Sequence, residues 1–430
     1  MRATHDRSTG SALVDAVHAW VEAHWDEALT VRAWWHLLVE AGYAHPSWPA
    51  GVGGGGLSFA DARRVTGVLA QHRVVGPAIG HVAATLAAPT ILEHGNAEQI
   101  DELVRPIALG EAAWCQLFSE PGSGSDLASV GTRAVRDGDE YVVTGQKVWN
   151  SGADTADLGM LLARTDPDRP KHRGMTYFAI DMHQPGVEVR PLRMMNGTAA
   201  FCEVFLDEAR VSADRVIGEI DGGWRVAQTT LFHERSSVAG GGMPGLVPAR
   251  SGPHGDLELP VGEVIARARA AATRRQSPIR SGAVGAKVMI DLARQHGVAG
   301  DPVIRQELAR YVSQVRINGW TARRIGAAGG RLTAADGSIA KITTSRICQD
   351  SRDLSYRIAG AQLLLDGAHS PMGGDLQRVN LASPGTRIGG GTDEIQLNVL
   401  GERALGLPRE PGDDRDVPYR ELTVGTRRDY

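Results

Sequence analysis

The sequence predicts an α+β fold in three consecutive segments: a helical domain over 1–112, a β domain over 113–218 and a second helical domain over 219–408. A polar tail follows at 409–430. Three observations predict this order. Apolar residues recur at spacings of three and four up to Gly110 and return to that spacing from Gly223. Between these limits they alternate with period two in short runs separated by Pro, Asp and Gly, which means a compact barrel or sandwich. Asp137-Gly138 joins two such runs, 130–135 and 141–149, and is a strong local hairpin signal.

The bulk properties narrow the function. A chain of 430 residues can bury a large core in more than one domain. Apolar residues make up 42% and charged residues 22%, ordinary for a globular protein. A formal net charge of -4 leaves no electrostatic footprint for nucleic acid or an anionic membrane. Cys115, Cys202 and Cys348 are odd in number, far apart and without metal-ligand spacing. They are expected to be reduced, buried thiols of a cytoplasmic protein, and no metal site is expected. The opening MRATHDRSTG lacks the apolar core of a signal peptide, and no apolar run approaches the ~18 residues of a spanning helix.

In the first segment, Leu13, Val14, Val17, Trp20 and Val21 mark one helix, and 31–41 forms another stopped by Gly42. A loop follows at 46–56. Ser58 caps the next helix with Asp61 three residues on, and Asn96 with Gln99 makes a capping box for a helix ending before Gly110. His72, His81 and His94 read as structural or exposed.

In the second segment, 112–118 reads as a strand. Glu120-Pro121-Gly122-Ser123-Gly124-Ser125-Asp126 then forms a turn, because Pro121 lacks a donor and the glycines permit positive φ. Such a turn directs N–H groups and hydroxyls at one point, suiting an anion or a polar ring edge; taken alone, it reads as a surface turn. The hairpin returns Trp149, Asn150 and Ser151 to its side. Trp149 there either fills the core or stacks on a planar heteroaromatic. Further strands are expected at 158–163, 175–182, 187–192 and 201–206, with 166–174 as a charged, solvated loop.

The third segment opens with a helix whose inward stripe is Trp224, Ala227, Leu231 and Val238. Glu234 falls on that stripe, where a carboxylate is costly unless paired or put to work. Its neighbour Arg235 points about 100° away. An inward salt bridge to another helix and a catalytic role both fit. Residues 240–286 read as an inserted loop around a short helix at 261–272. Helices are expected at 287–295, 303–328 and 338–365, and Gly389-Gly390-Gly391-Thr392-Asp393-Glu394 opens a last one through Glu402. The tail beyond Pro408 reads as poorly ordered.

Ser-Glu-Pro-Gly-Ser-Gly-Ser-Asp at 119–126, the Asp-Gly hairpin, Gly-Gln-Lys-Val-Trp-Asn-Ser at 145–151 and Asp-Gly-Gly-Trp-Arg-Val-Ala at 221–227 resemble the acyl-CoA dehydrogenase family, over about 41–410. The resemblance implies a C-terminal four-helix bundle, FAD as cofactor, an acyl-CoA substrate and fatty-acid or steroid side-chain metabolism. It places Gln116, Leu117, Phe118 and Ser119 along the isoalloxazine, Trp149 on its face and Ser151 near flavin N5, with Asn150 beside them. Ser125 would touch the CoA arm and Arg235 the substrate. Thr392 and Glu394 would meet the adenosine end of FAD, partly from a neighbouring subunit, and Arg294 is the match for an arginine reaching across subunits. The family's Gln-x-x-Gly-Gly segment is not recognisable; Ile358-Ala359-Gly360-Ala361-Gln362 stands in its place.

Dehydrogenating a thioester needs a base for the α-proton, donors for the carbonyl and an electron sink. Most of the family carries its base just before a Gly-Thr pair, where this chain has Gly390, and glycine cannot take a proton. The isovaleryl-type branch instead has an acidic residue followed by arginine on the earlier helix, and Glu234-Arg235 matches it. The Gly390 N–H remains as a donor to the thioester carbonyl. Its missing side chain opens volume for a branched, cyclic or bulky acyl group. An electron-transfer flavoprotein would accept the electrons from a homo- or hetero-oligomer, a dimer or tetramer. Two alternatives stand: a catalytically silent subunit of a mixed oligomer, and a same-fold flavin oxidase on a non-CoA substrate.

Overall fold

The computed structural model describes residues 7–78, 82–240, 245–274, 283–327, 333–365, 367–409 and 416–422. The first segment forms helices α1 (Arg7–His24), α2 (Val31–Glu40), α3 (Phe59–Gln71) and α4 (Ala88–His94). Ser58 caps α3 by accepting from the Asp61 N–H, and Asn96 and Gln99 form the reciprocal box. What the box opens is not one helix. Two short α turns, α5 (Ala97–Gln99) and α6 (Arg105–Ala108), flank a π-helical turn at Ile100–Val104. Pro106 in the first turn of α6 has no N–H to donate, so the hydrogen-bond register shifts just ahead of it. His72 meets His18 at 2.8 Å and His94 meets Thr229 at 2.8 Å. His81 lies outside the described residues.

The segment expected to be an inserted loop completes this first domain. Val31 and Arg32, the first two N–H groups of α2, donate to the carbonyls of Leu259 and Leu257, both at 2.9 Å. In return the first N–H groups of α8 (Val261–Arg274), those of Val261 and Gly262, donate to Leu29 and Glu27. The two helix starts satisfy each other's orphan donors. Leu257, Val261, Val264 and Ile265 are buried in one cluster with Trp34, Trp35, Val65 and Leu69. The indole N–H groups of Trp34 and Trp35 donate to Val75 O and Gly76 O, and the same stretch pairs with Val247.

The middle segment holds β1 (Trp114–Leu117), β2 (Arg133–Asp137), β3 (Glu140–Ser151), β4 (Leu158–Arg164), β5 (Met175–Asp181), β6 (Val187–Leu192) and β7 (Phe201–Ser212). They form one curled seven-stranded sheet in the order β1-β4-β2-β3-β7-β6, with β5 on β4. β7 runs past the expected stop at Leu206, because Ala209 and Val211 continue the buried face while Asp207 and Glu208 hide the alternation. One sheet face (Trp114, Phe118, Met160, Leu162, Tyr177) packs on the helical domain and on Ala227. The other, with Leu117, Val143, Leu161, Phe178 and Val204, closes on itself within the curl. Cys115, Cys202 and Cys348 are buried and unpaired with one another.

The third segment contains α7 (Gly223–Gly240), α8, α9 (Ala286–Gln295), α10 (Pro302–Ala327) and α11 (Ala334–Ala359). α12 (Asp375–Ala382), α13 (Gly385–Ile388) and α14 (Asp393–Val399) complete it. α11 packs on α7, α9 and α10. It stops short of 365 because Gly360 takes φ 55 and the chain continues as a tighter turn. The side chain of Val238, expected on the α7 stripe, lies outside the described ones. Two expectations are revised here. Within the tail expected to be poorly ordered, 416–422 are placed against the β domain with Tyr419 2% exposed, while 410–415 and 423–430 lie outside the described residues. The 166–174 loop is solvated at Asp168, Arg169, His172 and Arg173 but also packed, with Gly174 buried and Lys171 paired with Asp126. Among the described residues no helix is long and apolar enough to cross a membrane.

Ile265→Ala should cost about 2–5 kcal/mol, the usual price of truncating a buried aliphatic side chain. Urea unfolding followed by tryptophan fluorescence checks it, because Trp34 and Trp35 share that cluster. An unchanged midpoint would remove α8 from the core of the first domain.

Candidate active site

The site is built outward from a buried charge. Lys147 on β3 is 0% exposed, and its ammonium donates to Phe118 O (3.0 Å), Leu162 O (2.7 Å) and Glu120 Oε1 (2.8 Å). Glu120 also accepts from the N–H groups of Gly131 (2.7 Å) and Thr132 (2.9 Å). Burial alone would raise its pKa, but Lys147 and these donors reverse that and hold it below the ordinary glutamate range. The 119–126 turn is closed by paired bonds between Glu120 and Ser123 and by Ser123 Oγ donating to Asp126 O at 2.6 Å. The Val148 N–H donates to Ser119 O at 2.9 Å, so the turn sits beside the end of β3.

At that end β3 slips register against β7 between Val148 and Asn150, and Trp149 adopts φ 65. A bulge of this kind re-aims a side chain. Trp149 is accordingly 56% exposed, held only edge-on by Phe201 at 5.8 Å, which removes the core reading of this residue. Asn150 is buried; its Nδ2 donates to Gln116 O at 2.7 Å, while its Oδ1 has no partner among the described residues. Ser151 and Ser125 are exposed, and Ser119 and Gln116 are half-buried. Leu117 and Phe118, expected beside the cofactor, send their side chains into the two sheet cores, leaving their backbone as the part available.

Glu234 comes to this group from α7, one turn beyond the buried Thr230. Gln116 Nε2 lies 3.5 Å from Glu234 Oε2. Desolvation raises the Glu234 pKa above its ordinary value, partly offset by Gln116 and by the charge of Arg235. Arg235 is half-buried and lies where α7 passes close to Gly337 of α11. A Cβ added to Gly390 would stand 3.9 Å from Glu234 Oε1. Apart from its chain neighbours no other heavy atom of the described residues comes within 4 Å of that point, so the carboxylate borders an otherwise open space into which a side chain at 390 would grow.

Gly390 and Gly391 take φ 66 and 82, and a Cβ on Gly391 would meet Gln396 Nε2 at 2.5 Å. Gln396 bridges this turn to α11: its Nε2 donates to Gly390 O at 2.9 Å and its Oε1 accepts from Ser338 at 2.6 Å. Asp393 is tied to Lys341 (2.8 Å) and Ser345 (3.0 Å), and Thr392 caps α14. The Gly390 N–H donates to no partner among the described residues.

Three predicted residues are not gathered here. Arg294 is exposed and bonds to Asp291, Glu394 is exposed beside Arg387, and Thr392 is used as a cap. Among the described residues none of them hydrogen-bonds to Gln116, Ser119 or the end of β3. The described residues also contain no group of three side chains able to hold a metal. Lys147, Glu120, Asp393 and Gln396 are not among the site residues expected from the sequence. Lys147 alone carried a usable signal, being one of four lysines and standing inside an alternating strand.

Three models describing the acyl-CoA dehydrogenase N-terminal, middle and C-terminal domains match residues 7–111, 115–209 and 258–405. "Acyl-CoA dehydrogenase FadE34" of Mycobacterium tuberculosis is 39% identical over 86% of this chain, which spans about half (46%) of that protein's length. "Acyl-CoA dehydrogenase IpdE1" of the same organism is 34% identical over 88% of both chains. The solved "Tcur3481-Tcur3483 steroid ACAD" superposes with a TM-score of 0.66 at 25% identity, covering 94% of this chain and 99% of that one.

Glu234 should hold its proton at a pH where an ordinary glutamate has lost it. Infrared difference spectra of the carboxyl band, assigned with Glu234→Gln, test this. Gln116→Leu removes a donor to the ionised form and should move the titration higher still. A band lost at the ordinary glutamate pKa would contradict the desolvated placement.

Proposed function

The chain belongs to the acyl-CoA dehydrogenase family, and from that premise we propose that it converts an acyl-CoA thioester to its α,β-enoyl product with Glu234 as the base. The observation that carries this is the 3.9 Å separation between Glu234 Oε1 and the point where a side chain at 390 would begin. A carboxylate reaching that point from α7 can serve the carbon that a carboxylate at 390 would have served. A base works best when its pKa lies near the working pH, and burial moves Glu234 in that direction.

The residues at the end of β3 fit a planar heteroaromatic whose edge donates hydrogen bonds. Trp149 offers an open indole face, the buried Asn150 Oδ1 is an acceptor without a partner among the described residues, and Ser119, Ser151 and Gln116 are polar neighbours. FAD, when bound there, supplies the two-electron acceptor for the β-hydrogen, chemistry no side chain offers. Gln116, Ser119, Trp149, Asn150 and Ser151 would hold its ring. Thr392 and Glu394 are assigned to its adenosine end, partly from a neighbouring subunit, and Arg294 is the match for the arginine reaching across subunits.

The Gly390 N–H, which the described residues leave without a partner, polarises the thioester carbonyl. Ser125 on the exposed turn meets the CoA arm, and Arg235 flanks the substrate beside Glu234. Because position 390 adds no bulk, the acyl group is branched, cyclic or otherwise large. An electron-transfer flavoprotein takes the electrons onward.

A second reading, in which this chain is one half of a two-chain assembly, is favoured by two observations. The chain spans 46% of the FadE34 relative, and the name of the solved neighbour joins two components. Exposed apolar side chains on the C-terminal helices, among them Ile317, Trp320 and Leu397, give a partner something to cover.

Glu234→Gln should lose about two to four orders of magnitude in turnover and in α-proton exchange while keeping the flavin spectrum. On a panel of acyl-CoAs, bulky groups should turn over fastest; straight chains reacting fastest with bulky ones inert would overturn the size argument. Gly390→Ala should lower the bulky-to-straight preference by about tenfold or more. Using the ratio removes the backbone strain that alanine suffers at φ 66.

A further inference from the structure

Residues 416–422 come back from the far end of the chain to lie on the β domain. Pro418 bridges Pro170, the Tyr419 N–H donates to Arg169 O at 2.8 Å, and the Arg420 N–H donates to Pro167 O at 3.0 Å. Arg420 also forms an ion pair with Asp168. The ring of Tyr419 covers the guanidinium of Arg164, with 4.0 Å from Cζ to the ring centre, and its hydroxyl donates to Ser129 O at 3.3 Å.

Arg164 is 1% exposed and works as a rivet. One arm donates to Lys171 O and Arg173 O, both at 3.0 Å; the other donates to Ala128 O (2.6 Å) and Val130 O (3.3 Å). It thus joins the 166–174 loop to the stretch that closes the 119–126 turn. Lys171 reaches the turn itself through Asp126 at 3.2 Å. On its other side the loop holds the start of α7. Thr165 donates to Asp221 (2.6 Å), Arg169 pairs with Asp221 (3.6 Å), and His172 packs edge-on against Trp224. A cation in a fixed ring of carbonyls under an aromatic lid is held in one place; uncovered, it faces water and its bonds compete with solvent.

We propose that the C-terminal segment is a positioning strap, in which Tyr419 seats Arg164 and thereby sets the 119–126 turn against the first turn of the helix that carries Glu234. Tyr419 touches neither substrate nor cofactor in this account; it acts through Arg164 and the loop. The consequence for substrate rests on the reading above, that the turn receives an acyl-CoA. The consequence for the turn itself does not.

The test uses the full-length, FAD-loaded protein and its Tyr419→Ala and Tyr419→Phe variants. Hydrogen exchange of the amides at 119–131 and 165–174 should quicken by about tenfold or more in the alanine variant. It should stay near wild type in the phenylalanine variant, which keeps the ring. Amides pairing β3 with β7 should not change in either. In steady state the alanine variant should raise KM for acyl-CoA about tenfold with kcat within about threefold, and phenylalanine should rescue it. Unchanged local exchange, or a lowered melting temperature with exchange faster everywhere and KM unmoved, would overturn the strap. Should Tyr419→Ala not fold, Tyr419→Leu keeps the volume without the π face and reads the same amides. If the wild-type protein turns over no acyl-CoA, the enzymatic reading fails and the exchange experiment still decides the strap.

Discussion

The arrangement of the site depends on one ammonium group placed where no water can reach it. Moving such a charge out of solvent is tolerable only if every proton finds an acceptor, and Lys147 has three: two backbone carbonyls and the Glu120 carboxylate. Those acceptors belong to β1's exit, to β4 and to the turn after β1, so satisfying Lys147 fixes three pieces of chain at once. Losing one partner of a buried pair costs about 3–5 kcal/mol, far more than any single contact in the turn contributes. Glu120 is ionised in the fold because its pKa is held down. Its contribution to stability is therefore present above the ordinary glutamate pKa and is lost as pH falls through the folded value.

With the turn held, the bulge at Trp149 and the helix α7 supply the remaining parts from opposite sides. The bulge takes Trp149 out of the ladder with φ 65 and leaves its indole exposed while Asn150 stays buried beside Gln116. Glu234 and Gly390 complement one another in the same sense. The carboxylate comes from α7 and the space beside it from the absence of a side chain at Gly390, in the turn before α14 that Gln396 and Ser338 tie to α11.

Much of this was legible in the sequence, and the legible parts share a physical character. The strands, the Ser58 cap and the Asn96 box are local, fixed by periodicity or by a side chain reaching three residues ahead. The inward turn of Glu234 followed from helical spacing alone. What escaped was set by partners distant in the chain. The capping of α2 by Leu257 and Leu259 needs an acceptor more than two hundred residues away, and no pattern near Val31 announces it. Tyr419 sits in a polar stretch whose composition resembles a loose tail; Arg164 and the 166–170 backbone, more than two hundred residues earlier, give it a place. Leu117 and Phe118 were read as one surface, yet successive strand residues must face opposite ways, and both faces of this sheet are covered.

The mutual capping of α2 and α8 also bears on how the chain is made. When the first hundred residues leave the ribosome, the leading N–H groups of α2 lack their carbonyls and the Trp34 cluster lacks the wall formed by Val261, Val264 and Ile265. That wall emerges only after the whole β domain has been synthesised. At synthesis rates of about 5–20 residues per second, a tryptophan-rich groove stays uncovered for roughly ten seconds or longer. The first domain is thus completed only after the β strands have been made, and its exposed interval is a window for chaperone engagement that the strand pairings, assembled from nearer neighbours in sequence, do not share.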